Sequence, residues 1–162
     1  MLLIVFAALR GLDWLLPLGP PALLEPGEYT VDYVIDGDTF ALMNGARIRL
    51  IGADTPETVR PNHPVEPFGP EASRFTREML ATADHRVRLE FDGPAKDRYG
   101  RFLAVVWVDG RMLNEELLRH GLARLRTEFR FSPPLKARLR AARDEAKQAQ
   151  RGIHGPLPVP GS

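Results

Sequence analysis

Tyr29, Val31, Tyr33 and Ile35 alternate with more polar neighbours, the period of two that turns one face of a β-strand toward a core. Asp36-Gly37 then signals a turn, residues 39–43 read as a second strand, and Asn44-Gly45 is the strongest hairpin turn in the chain. Residues 47–51 offer Ile48 and either Leu50 or Ile51 to the same core, so three antiparallel strands form a meander before residue 52. The spacing changes at residues 71–82, where Ala72, Phe75, Met79 and Leu80 recur with helical period. Strands follow at 86–91 and 102–108, the second closed by the Asp109-Gly110 turn. Residues 114–120 read as a helix stopped at Gly121, a residue type that tolerates the left-handed cap. Ser132-Pro133-Pro134 opens a last, charged helix that runs to residue 150 and is expected to end at Gly152.

Five short strands and about three helices predict a mainly-β domain with helices, a small closed five-stranded Greek-key barrel of the oligonucleotide-binding type. At 162 residues and 44% hydrophobic content, one domain accounts for the chain. Pro17, Pro20, Pro21 and Pro26 make residues 16–27 a poor helix and a poor strand, hence a linker into a domain expected at 28–155, with a Pro/Gly tail at 156–162. Residues 1–9 are an unbroken apolar run too short to span a bilayer. Extending that run to residue 24 would bury Arg10 and Asp13 at about 2.5–3.5 kcal/mol each. A signal peptide or a membrane tether through residues 1–24 therefore stands against an amphipathic appendage or a misassigned start, and export or tethering is the expectation over a cytoplasmic location.

With no cysteine, neither disulfides nor thiolate chemistry is available, and a metal would need oxygen or imidazole ligands. His63, His85, His120 and His154 have no ligand spacing, so no zinc is expected. Ser73 and Ser132 lack a histidine partner nearby, and no glycine-rich phosphate loop occurs. The net charge of +1 conceals a division: residues 1–116 carry 12 basic and 18 acidic side chains, residues 117–162 carry 10 and 3. The C-terminal part could attract a polyanion, or could be a solvated arginine-rich helix.

Three clusters carry candidate chemistry. Asp36-Gly37-Asp38-Thr39 puts two carboxylates beside a glycine turn; as hard ligands they favour Ca²⁺ or Mg²⁺, although Asp-Gly is also ordinary turn chemistry. Residues 49–57 place Arg49, Asp54 and Glu57 across a strand end, with Pro56 stiffening the segment. In Asp97-Arg98-Tyr99-Gly100-Arg101, the last residue supplies a second guanidinium able to hold a phosphodiester by paired hydrogen bonds.

Together with Phe68-Gly69-Pro70-Glu71-Ala72-Ser73, residues 108–115 and residues 118–123, these clusters resemble the staphylococcal nuclease family, in the same order over residues 29–155. The resemblance implies an oligonucleotide-binding barrel and a Ca²⁺-dependent monomeric nuclease that cuts DNA and RNA to 3′-phosphate ends, with no protein partner. It implies that Asp38 and Asp54 ligate the metal with the Thr55 carbonyl, and that Asp36 stands behind them. Arg49 and Arg101 match phosphate-binding arginines, Glu57 the carboxylate that activates water, and Arg98, Tyr99 and Phe129 nucleotide contacts. Thr127 stands where a tyrosine is expected and offers no stacking face. The alternative is a non-catalytic oligonucleotide-binding module, against which the retained set of carboxylates and arginines weighs.

Overall fold

The computed structural model describes residues 19–58 and 64–157. The expectations for the apolar segment at 1–9, for His63 and for most of the C-terminal tail fall outside these residues. Gly27–Asp36 (β1), Thr39–Leu42 (β2) and Arg47–Leu50 (β3) form the expected meander. At ten residues β1 is long enough to serve two neighbours, pairing β2 through its second half and Arg86–Glu90 (β5) through its first. Register shifts between Val31 and Tyr33 and between Val34 and Asp36 bend it, which is how one strand curves around a small barrel.

Phe102–Val108 (β6) pairs antiparallel with β5 and closes the barrel by a parallel pairing to β3, Ile48 to Phe102 and Leu50 to Ala104. The structure is thus the expected closed five-stranded barrel with three helices. Residues 102–106 of β6 are all buried, because the barrel interior lies on one face and Leu113–Arg119 (α2) packs on the other. That explains why this strand is a continuous apolar run instead of an alternating one.

Gly69–Ala81 (α1) begins two residues before the expected start, with Pro70 in its first turn, and buries Ala72, Ser73, Thr76, Met79 and Leu80 against β1. Pro133–Gln148 (α3) is capped by Ser132, whose hydroxyl accepts from the Leu135 N–H while its own N–H and O–H donate to Asp92. The expected end of α3 at Gly152 is not found. The helix stops at Gln148, Gln150 takes the left-handed conformation with φ 51°, and Gly152 opens a short 3₁₀ turn. Gly152 is needed there for close approach, since an added Cβ would lie 2.1 Å from the Gly121 carbonyl oxygen.

Three strands had no counterpart in the sequence pattern. Ala53–Asp54 (β4) pairs with Arg124–Leu125 (β8), and Arg111–Met112 (β7) extends the sheet beside β6. Buried Asn114 ties α2 to the barrel: it accepts from the Val106 N–H (2.9 Å) and donates to the carbonyls of Ile51 (2.9 Å) and Ala104 (3.1 Å). Among the described residues no helix is long and apolar enough to cross a membrane.

Candidate active site

The turn between β1 and β2 is seated on α1. A Cβ on Gly37 would lie 2.7 Å from the Ala72 Cβ and 2.8 Å from the Thr55 Cγ2, so only glycine lets the turn approach this closely. The buried Thr76 hydroxyl donates to the Gly37 carbonyl at 2.6 Å and fixes the turn to the helix. The two aspartates flanking Gly37 are thereby held at the open end of the barrel.

Asp38 is only 4% exposed. Its Oδ1 accepts from the Thr39 hydroxyl (2.8 Å), and its Oδ2 accepts from the N–H (2.7 Å) and hydroxyl (3.0 Å) of Thr55. Arg49 Nη1 reaches the same Oδ2 at 2.7 Å and the Ala53 carbonyl at 2.6 Å, while Nη2 reaches Asp54 Oδ1 at 2.6 Å. One guanidinium therefore bridges Asp38 and Asp54. Burial, followed by the charge and a hydrogen bond of nearby Asp38, pushes the Asp36 carboxyl up to about 7. Its Oδ1 accepts from the Asp38 N–H at 3.1 Å and so helps to set that backbone.

The second arginine is organised by Asp97, which accepts from Arg101 Nε (2.8 Å) and Nη2 (2.7 Å) and from the N–H groups of Tyr99 and Arg101. Arg101 Nη1 also extends toward the Thr39 hydroxyl at 3.4 Å, which links this loop to the Asp38 turn. Tyr99 is 67% exposed, lies 5.4 Å from the Arg101 guanidinium, and accepts at its hydroxyl from Arg98 at 2.6 Å.

These side chains line one cleft of about 430 Å³ that includes Asp36, Asp38, Arg49, Asp54, Thr55, Glu57, Tyr99 and Arg101. Arg98 and Phe129 are not in it. They line an adjoining cleft of about 470 Å³ that shares Arg49, Asp54, Tyr99 and Arg101 with the first. Glu57 accepts from the Thr58 N–H at 3.2 Å, and its carbonyl accepts from Glu66, which pins both sides of its segment.

Three cations of the clefts were missed in the sequence, Arg47, Arg126 and Lys96, the last of which lines the second cleft. Arg47 lines the first cleft, and the alternation of β3 could have revealed it, since residues 47 and 49 share a face. Arg126 donates through Nε to Asp54 Oδ2 at 3.0 Å and lines the second cleft. No local signal marks that pairing, which β8 creates by lying beside β4. Both Asp54 oxygens thus accept from guanidinium groups.

Among the described residues no group of three or more aspartate, glutamate or histidine side chains is set for a metal. A hard cation would have two carboxylates here, Asp38 and Asp54, and would complete its shell from a backbone carbonyl and water. Such a mixed oxygen shell suits Ca²⁺, which takes six to eight oxygens in flexible geometry.

Residues 47–154 match the family described as staphylococcal nuclease homologue. The chain is 46% identical over 131 residues to the thermonuclease of Staphylococcus intermedius, covering 77% of this chain and 74% of the relative. It is 44% identical over 128 residues to the thermonuclease of Staphylococcus hyicus, with the same coverages. It is 39% identical over 128 residues to endonuclease YncB of Bacillus subtilis (strain 168), covering 76% of this chain and 60% of that protein. With its barrel, its paired carboxylates and these relatives, the chain belongs to the staphylococcal nuclease family.

Proposed function

We propose that this nuclease hydrolyses DNA and RNA in a Ca²⁺-dependent reaction that leaves 3′-phosphate ends. The observation that supports it most is the single guanidinium of Arg49 bridging Asp38 and Asp54 in the cleft that also holds Glu57 and Arg101. Asp38, Asp54 and the Thr55 carbonyl would hold the ion, which when bound supplies positive charge to a phosphate oxygen and to the attacking water.

The rest of the reaction falls to the chain's own groups. Glu57, ionised, accepts a proton from water as its oxygen bonds to phosphorus in line with the leaving group. For 3′-phosphate products the bond from phosphorus to the 5′ oxygen breaks, and that oxygen leaves as a hydroxyl after taking a proton from solvent. Arg101, together with Arg49 once a cation takes its place between Asp38 and Asp54, donates hydrogen bonds to the non-bridging oxygens, where charge accumulates as the fifth bond forms. General-base help contributes about 10²- to 10⁴-fold, so the arginines and the cation must carry the larger share of a fast rate. Asp97 and Thr39 hold Arg101 in place, so little reorganisation is needed when the phosphate arrives.

Exposed Tyr99 and Phe129, with Arg98 beside them, offer stacking faces for a base next to the reacting phosphate. Cleavage of single-stranded DNA and RNA with Ca²⁺, and again with excess chelator, tests the reading. Loss of cleavage in chelator supports it, and undiminished cleavage there would sink the metal mechanism.

A further inference from the structure

Away from the cleft, α3 divides its surface by charge. Leu135, Leu139, Ala142 and Ala146 face the core. Lys136, Arg140, Arg143 and Lys147 follow one another at steps of four, three and four residues, which stacks them along a single flank of the helix. At 1.5 Å per residue that row is about 16 Å long. One acidic residue, Asp144, borders the row and pairs with Arg143 at 2.6 Å, which leaves the row with a net charge of about +3.

The opposite flank is different. There Arg138 and Glu145 enter a network with Glu115 and Arg119 of α2 and with Arg151, which neutralises both signs. On the basic flank, the side chains of Arg140 and Lys147 make no hydrogen bond or ion pair among the described residues. The resulting field is felt nearby: burial first, then the charges of Lys147 and Arg143, hold the His154 imidazole below its ordinary value.

The row also starts where the second cleft ends. Lys136 Nζ lies 5.0 Å from the centre of the Phe131 ring, and that ring packs against Gly52, where an added Cβ would be 3.2 Å from the Phe131 Cζ. Gly52 in turn lines the second cleft with Arg98, Arg126 and Phe129. The outward positions Ala137, Ala141 and Gln148 include no large apolar side chain that could enter a lipid surface, so the flank is suited to a soluble polyanion.

We propose that this flank of α3 is a track for the nucleic acid strand outside the cleft, so that the enzyme holds long polymers more tightly than fragments filling the cleft alone. That the polyanion is nucleic acid rests on the nuclease reading above. The four cations of the row set an upper limit of about four phosphate contacts along it.

The test is binding by fluorescence anisotropy over a salt series, in chelator so that cleavage does not intervene, using a trinucleotide and a strand about 30 nucleotides long. The full-length chain is compared with a variant carrying K136Q, R140Q, R143Q and K147Q, and with the exposed pair R140Q and K147Q, each checked for native circular dichroism. The long strand is expected to bind more weakly to the variants, its log K against log salt slope falling by about 0.7 for each phosphate contact removed. Trinucleotide affinity should not change, and charge-preserving R140K with R143K should keep the wild-type slope. An unchanged slope for the long strand, or an equal loss on both lengths, would overturn the track. So would a variant that loses only its binding to anionic phospholipid vesicles. Cleavage by the wild-type chain in Ca²⁺ is read separately, so failure of the catalytic proposal is distinguishable from failure of the track.

Discussion

Asn114→Leu keeps the branching of the side chain, in a somewhat larger volume, but removes every polar atom from a fully buried site. In the structure β3 runs beside β6 only as far as Leu50 opposite Ala104, so the edge of β6 at Val106 has no strand partner on that side. Asn114 takes that place with its Oδ1 and at the same time donates to the carbonyls of Ile51 and Ala104. The Ala104 carbonyl would keep a partner in the variant, because it also accepts from the Ile51 N–H at 3.0 Å. The Val106 N–H and the Ile51 carbonyl would lose theirs. Each buried group left unpaired costs about 1–3 kcal/mol, giving about 2–6 kcal/mol in all. Against a usual total of about 5–15 kcal/mol, that is a large part of the stability. Urea unfolding followed by fluorescence measures it. A loss below about 0.5 kcal/mol at unchanged m value would refute the reasoning, because it would place Asn114 outside the framework of the barrel.

The other predictions concern charge. Arg126→Gln should tighten Ca²⁺ binding about fivefold by calorimetric titration, since it removes a cation in contact with Asp54 worth about 1 kcal/mol at solvent-exposed separation; unchanged or weaker binding would contradict this. Glu57→Gln should lower kcat by about 10²- to 10⁴-fold, with Arg49→Gln and Arg101→Gln at least as damaging; an arginine variant near wild-type kcat would count against electrostatic stabilisation as the larger effect. Burial raises Glu115, but hydrogen bonds and charge from Arg138 and Arg119 outweigh it and hold the carboxyl below 4.5. The unfolded chain therefore takes up that proton first, so the stabilisation is present above about pH 4.5 and is lost as pH falls through the lower folded value. The stability gap between wild type and Glu115→Gln should shrink between pH 5 and 3, and a constant gap in urea unfolding would be evidence against the pairing.

Much of the fold was legible because its signals are local. The Asn44-Gly45 turn and the apolar run of β6 each state their conformation within a few residues, whereas the alternation in β1 marks the strand but not its inner face, because the bulge after Val31 leaves Tyr33 exposed and packs Val34 against the core instead. What escaped depends on distant partners. β4 and β8 are two residues each and exist only because Ala53 and Asp54 meet Leu125 and Arg124 across the fold. The end of α3 was misread because glycine is the usual left-handed cap, whereas here Gln150 takes that conformation and Gly152 serves a backbone contact with Gly121. At the site, spacing alone picked out Arg49, Asp54 and Glu57 as one cluster, and the family resemblance joined it to Asp38 and Arg101. Arg47 could have been added from strand alternation, whereas Arg126 could not, being 72 residues from the carboxylate it contacts.

The most direct measurement is the chemistry of the product ends. Single-stranded DNA labelled at its 5′ end is cut by the full chain in Ca²⁺, and the fragments are examined before and after treatment with a 3′-phosphatase. The account predicts fragments whose mobility changes on phosphatase treatment, and none at all when Ca²⁺ is chelated. Fragments with 3′-hydroxyl ends, or no cleavage in saturating Ca²⁺, would contradict it.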